Sequence, residues 1–293
     1  MTRASGDGKI HSMVTAEALN PAVRRVQLGI VLRLLRERAG AKPKEVAPQL
    51  GWYVAKVTKL EKGDVTISLP EIDRLIELYG VQGEEAEKVR RLGAEARKRD
   101  RPSRVPDWGQ TYVALEAAAS EVKFYDGEVV PGMLQTAGYA RAILGNSLAN
   151  TPDEIETRVA ERVQRCDRLS SPEAPSLWVV LGEAVLYREV GGPEVLRAEL
   201  RQLLELGGRR NVTIQILPFK SGEHVAMGAS FTLLHLADPV ATFAYLEGLT
   251  DADYLDRAHH TAMYGEVFDR LRVAALGDRE SAKLLQRRIE ELT

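Results

Sequence analysis

The sequence predicts two units of different architecture: a mainly α N-terminal unit of five short helices, and a larger C-terminal α+β domain with a mixed or antiparallel sheet. Three observations carry this. Up to about residue 100, apolar residues recur at helical spacing in short runs, each closed by glycine or opened by proline. Beyond residue 110, runs of β-branched and aromatic residues alternate with amphipathic stretches. The charge also changes sign. Residues 1–104 carry 21 Lys and Arg against 14 Asp and Glu, and the rest carry 19 against 28. A chain of 293 residues, 44% hydrophobic, supplies apolar material for two cores. The boundaries follow as a flexible tail over 1–20, a helical domain over 21–100, a linker over 101–110 and an α+β domain over 111–293.

In the helical unit, Leu28, Val31, Leu32, Leu35 and Ala39 mark one face of a helix over 28–39, which Gly40 ends. Pro43 opens a short second helix with Val46, Ala47 and Leu50 inward, and Gly51 turns the chain. A third helix covers 53–61 with Val57 and Leu60 inward. Leu69 and Pro70 open a fourth, with Ile72, Leu75, Ile76 and Tyr79 inside. A polar fifth helix runs over 83–99. The stretch DRPSRVPDWG, rich in proline and charge, reads as the linker.

The second half predicts strands at 121–130, 177–181, 212–217, 230–236 and 242–247, and helices at 136–145, 153–169, 193–207, 251–276 and 279–292. Three strands in succession point to an antiparallel portion. The single cysteine, Cys166, cannot close an internal disulfide, no apolar stretch reaches the length of a membrane span, and the first residues lack a signal core. These observations predict a cytoplasmic protein with no membrane association.

Residues 45–60, EVAPQLGWYVAKVTKL, hold the informative pattern. Ala47 is small where two helices cross closely, Gly51 permits the turn, and Val57 and Leu60 anchor one helix against Val46 and Leu50 on the other. That is the packing logic of a helix-turn-helix, whose second helix enters the DNA major groove. The strings LGIVLRLLRERAG, EVAPQLG, VAKVTKLEKG and LPEIDRLIELYG resemble the phage-repressor-like (Xre-type) helix-turn-helix over residues 28–80. The resemblance implies a buried salt bridge between Arg36 and Glu61, and double-stranded DNA as partner. It departs at Lys42 and Pro43, where the family carries a Ser or Thr cap followed by Gln. Candidate DNA contacts are Tyr53, Val54, Ala55, Lys56, Thr58 and Lys59 on the recognition helix, with Lys42, Lys44 and Lys62 beside it. Lysines bind phosphate and specify little; Val54 offers an apolar contact for a thymine methyl.

PGMLQTAGYARAIL (131–144), together with YVALEAAASEVKFYD, NVTIQILPF and FTLLHLADPVATFAYLEG, is similar to a C-terminal domain found behind Xre-type helices in actinobacterial regulators. The resemblance implies an antitoxin-like transcriptional regulator, often paired with a small partner protein. The family commonly has Arg-Gln where this chain has Arg165-Cys166. Polar residues set among apolar strands, Tyr125, Gln135, Glu183, Tyr187 and Glu247, are the candidate ligand or partner site, because a carboxylate or amide in such surroundings demands a partner. The basic residues around Cys166 make it a candidate redox thiol, outweighed by a packed small residue. His259 and His260 are adjacent, so on a helix they diverge by about 100° and make a poor metal pair. No phosphate loop or nucleophile elbow is present. The expectation is a non-enzymatic, cofactor-free transcription regulator whose acidic half carries the wrong sign of charge for DNA. Its C-terminal domain handles ligand or partner binding, a small-molecule effector or a small protein, and homodimerisation, with Leu284, Leu285, Ile289 and Leu292 on the last helix as the candidate dimer stripe. The alternative is an antitoxin-like protein that chiefly silences a small partner and binds DNA to autoregulate.

Overall fold

The computed structural model describes residues 21–98, 107–147, 151–237, 240–249 and 251–292. The expected tail over 1–20 lies outside them. Five helices form where the periodicity places them: α1 (Pro21–Arg38), α2 (Pro43–Gln49), α3 (Val54–Lys62), α4 (Leu69–Leu78) and α5 (Gly83–Ala96). Their inward residues, among them Leu32, Val46, Val57, Leu60, Ile72 and Leu75, share one buried cluster. Pro43 stands at the start of α2, where its missing N–H leaves no bond unmade. At α4, the Ser68 hydroxyl accepts the Glu71 N–H at 3.4 Å and the Glu71 carboxylate accepts the Ser68 N–H at 2.7 Å, a reciprocal cap.

Two glycines set how α3 meets α1. A Cβ on Gly29 would lie 2.6 Å from the carbonyl oxygens of Leu60 and Glu61, so only glycine lets the two helices approach this closely. Gly63 ends α3 with φ 83°, and a Cβ there would meet the Val26 backbone at 2.9 Å.

The C-terminal domain is built on six strands, β1 (Ala119–Asp126), β2 (Ser176–Gly182), β3 (Val212–Leu217), β4 (Phe231–Ala237), β5 (Val240–Glu247) and β6 (Ala252–Leu255), in the order β3-β2-β1-β4-β5-β6. β1 runs parallel to β2, and β2 parallel to β3; β4 pairs antiparallel with β1, and β5 and β6 continue the antiparallel half. The sheet is therefore mixed and the domain α+β. Helices α6 (Asp107–Ala118), α7 (Ala137–Gly145), α8 (Pro152–Asp167), α9 (Pro193–Leu206), α10 (Ala258–Ala274) and α11 (Asp278–Glu291) complete it.

Alternation along the strands feeds two cores. Leu177, Val179 and Leu181 of β2 face a large cluster with α9 and α11. Val180 and its neighbours on other strands face a smaller cluster with Phe268 and Leu271 of α10. The large cluster also takes in Val26 and Ile30 of α1. Arg33 of α1 forms an ion pair with Asp256 at 2.5 Å. One helix thus belongs to both halves, with Val26 and Ile30 as its apolar contacts to the second domain.

Four expectations are corrected. The linker over 101–110 lies outside the described residues up to 106, and 107–110 open α6; a tryptophan and a glycine after prolines hid the helix start. The strand over 121–130 stops at Asp126, whose Oδ1 accepts the N–H groups of Glu128 (2.6 Å) and Val129 (3.0 Å) and turns the chain. The helix over 251–276 is split, because residues 252–255 pair with β5 before α10 begins. The stripe Leu284, Leu285, Ile289 and Leu292 is buried within its own domain core and is not a dimer surface.

Candidate nucleic-acid interface

α2 and α3 are joined by a turn at Gly51 (φ 69°). α3 buries Val57, Leu60 and Glu61. Its other side carries Ala55, Thr58, Lys59 and Lys62 at i, i+3, i+4 and i+7, all exposed. Tyr53, 67% exposed, precedes the helix, and Val54, also exposed, is its first residue. Lys42 is exposed just before α2, and Lys44 is exposed in its first turn. The Lys42 side chain makes no cap; Glu45 instead accepts the Lys42 N–H at 2.9 Å.

The recognition helix is held by the pair that the resemblance implied. Arg36 Nε donates to Glu61 Oε1 at 2.6 Å and Nη2 to Glu61 Oε2 at 2.9 Å, with both residues under a tenth exposed. Nη1 donates to the Ala41 carbonyl at 2.8 Å. The hydrogen bond to Glu61 raises the Arg36 pKa above its ordinary value, against the opposing effect of burial.

Lys56 behaves differently from its neighbours. Its ammonium lies 2.8 Å from Glu71 Oε1 and 4.0 Å above the Trp52 ring. It is half-buried and braces α3 against α4, so its charge is already answered inside the domain. Among the described residues, the ammonium groups of Lys42, Lys44, Lys59 and Lys62 have no ion-pair partner.

The five candidates in the C-terminal domain do not share one pattern. Tyr125 is buried on the α10 face, with its hydroxyl 3.3 Å from His224 Nε2. Glu183 accepts the Phe219 N–H at 2.7 Å, a loop contact. Tyr187 is 44% exposed, under the Arg288 guanidinium at 4.7 Å. Gln135 is buried; its Nε2 donates to the Val130 carbonyl (2.7 Å) and its Oε1 accepts from Arg162 (2.5 Å). Glu247 is exposed at the end of β5 and accepts the Tyr245 hydroxyl at 2.9 Å. Of the five, Gln135 and Glu247 bear on a common group, Arg162, which sequence reasoning treats merely as a neighbour of Cys166. A signal exists in the spacing: Arg158, Arg162 and Arg165, at i, i+4 and i+7, share one face of α8.

Burial pushes the Cys166 thiol up rather than down, so the basic residues nearby do not make it a reactive thiolate. Arg165 is committed to Glu116 at 2.7 and 2.8 Å, and Arg168 to the Ala117 carbonyl at 2.7 Å. The His259 and His260 rings lie 3.9 Å apart. Among the described residues, no group of three His, Cys, Asp or Glu side chains could hold a metal ion, and no helix is long and apolar enough to cross a membrane.

Two family models match the chain. One described as a helix-turn-helix domain covers residues 27–89, and one described as a domain of unknown function (DUF5753) covers residues 110–287. No curated protein matches it.

Proposed function

The chain belongs to the DUF5753 family and carries a helix-turn-helix domain, and on that premise we propose that it is a dimeric, cytoplasmic transcription regulator of the Xre type whose C-terminal domain binds a ligand or partner. The helix-turn-helix supports DNA binding and transcription regulation in its own right. The observation that carries the finer reading is the outward stripe of α3, where Lys59 and Lys62 keep unpaired charges on a helix fixed from behind by Arg36 and Glu61. The C-terminal domain acts here as a binding module rather than an enzyme. Dimerisation gives the recognition helix a second half-site about one DNA turn away.

Lysine contacts position the protein on phosphates and leave base reading to Tyr53, Val54, Ala55 and Thr58. Genomic DNA fragments captured by the full chain supply the operator, and salt titration of that complex is the test. Replacing Lys59 and Lys62 with alanine flattens the log–log salt slope by about 0.9 for each phosphate that is no longer neutralised. An unchanged slope in the double variant removes α3 from the interface. Sedimentation of the full chain as a monomer, with and without operator, removes the dimer.

A further inference from the structure

Arg162 differs from the arginines that follow it on α8 in how its charge is met. Arg165 is gripped through both its Nε and Nη2 by Glu116, a carboxylate only 1% exposed. Arg168, just past the helix end, donates to a backbone carbonyl. Arg162, half-buried, donates once, from Nη1 to the neutral amide oxygen of Gln135. Among the described residues it has no carboxylate within ion-pair distance. A guanidinium has five N–H donors in a planar fork, so most of them find no acceptor in the protein. Burial and the positive charges of Arg165 and Arg158 pull its pKa down to about 10, and the more distant Glu247 only partly opposes them. A partly buried cation without a counter-charge leaves its remaining donors open to an anion from solution.

The surroundings are shaped rather than incidental. Gln135 is itself fixed by its bond to the Val130 carbonyl, so its oxygen is aimed at Arg162. Gly132 presents bare backbone beneath the guanidinium groups: a Cβ there would stand 3.5 Å from Arg162 Nε and from Arg165 Nη2. Tyr112 of α6 lies on the same side, its ring 4.4 Å from that of Tyr245 on β5.

We propose that Arg162, oriented by Gln135, is the effector site of the C-terminal domain and takes the carboxylate or phosphate group of a small molecule. The planar fork suits a two-point contact with either group. Its role as an effector site rests on the regulator reading; anion binding does not. The route to the DNA-binding half is short, because α6 carries Tyr112 and Glu116 and packs on α1, and α1 seats α3 at Gly29.

Thermal unfolding of the full chain, with inorganic phosphate or citrate at constant ionic strength, tests the site. At least one anion raises the wild-type Tm by roughly 2–4 °C. In Arg162→Gln this rise disappears, while the anion-free Tm stays the same or increases, because an uncompensated cation has been removed. The proposal is overturned by the absence of any rise in wild type, by an equal rise in the variant, or by a variant that fails to fold or melts earlier without anion, since that marks a structural arginine. DNA binding by wild type, measured separately, reports on the regulator reading alone: its absence leaves the anion site standing as a site of unassigned purpose.

Discussion

Both halves bury a two-point arginine–carboxylate pair, Arg36–Glu61 and Arg165–Glu116, but among the described residues only the C-terminal half sets a second, partly buried arginine beside its pair without a carboxylate. In the helix-turn-helix domain, Arg36 is buried and fully answered by Glu61 and a carbonyl, while the partnerless lysines beside the recognition helix keep contact with solvent. In the C-terminal domain, Arg162 is half-buried with a neutral amide as its hydrogen-bond acceptor, and the buried carboxylate of Glu199 has one oxygen without a partner. The first arrangement favours one rigid recognition surface. The second leaves polar capacity inside the fold, at a cost that a structural core has no reason to carry.

Breaking the paired charge gives the largest expected effect. Glu61→Ala strands Arg36 and costs about 3–5 kcal/mol, visible as early melting of the N-terminal domain. A shift near zero would contradict the burial of the pair. Leu285→Ala in α11 is next, at about 2–5 kcal/mol, since Leu285 is 2% exposed in the large core. Sedimentation of the same variant shows an unchanged oligomeric state; selective loss of a dimer would return the stripe to an interface.

Glu199 sharpens the contrast through pH. Burial pushes its carboxyl up to about 7, against the lowering effect of the Thr136 N–H at 2.8 Å. A carboxyl whose folded pKa lies above its unfolded value holds its proton more tightly in the native state. Its contribution to stability is therefore present below about pH 4.5 and lost as pH rises through about 7. Glu199→Gln flattens the decline of stability between those values and leaves the wild type and variant most different above pH 7; parallel profiles would exclude the assignment.

Glu71 titrates with the other sign and the smallest effect. Burial raises its pKa, but hydrogen bonds from Lys56 and Ser68 outweigh this and bring it down to about 2. Its contribution is present above the unfolded carboxylate range and lost as pH falls toward 2. Lys56→Ala costs under about 1 kcal/mol at neutral pH and reduces the acid sensitivity of the N-terminal domain, with little change in the salt slope of DNA binding. A drop in that slope as large as for Lys59→Ala would show that Lys56 leaves Glu71 for phosphate.

The sequence alone determined the five N-terminal helices, because each depends on local signals: a 3.6-residue apolar period, proline at an opening, glycine in the left-handed region at a close. It determined the Arg36–Glu61 pair through a resemblance, and every strand but β6 through runs of β-branched and aromatic residues. The tertiary structure decided what needs distant partners. β6 is too short to announce itself and exists because β5 offers an edge. Val26 and Ile30 of α1 find their place only when the second domain's core receives them. Lys56 and Lys59 have the same side chain three residues apart, and only the positions of Trp52 and Glu71 make one a brace and leave the other free. Arg162 stands in a row with Arg158 and Arg165, and what sets it apart from Arg165 is the position of Glu116, far earlier in the chain, whose two oxygens are both taken by Arg165. Periodicity reports which face a residue occupies; which charge on that face is answered depends on partners brought in across the fold.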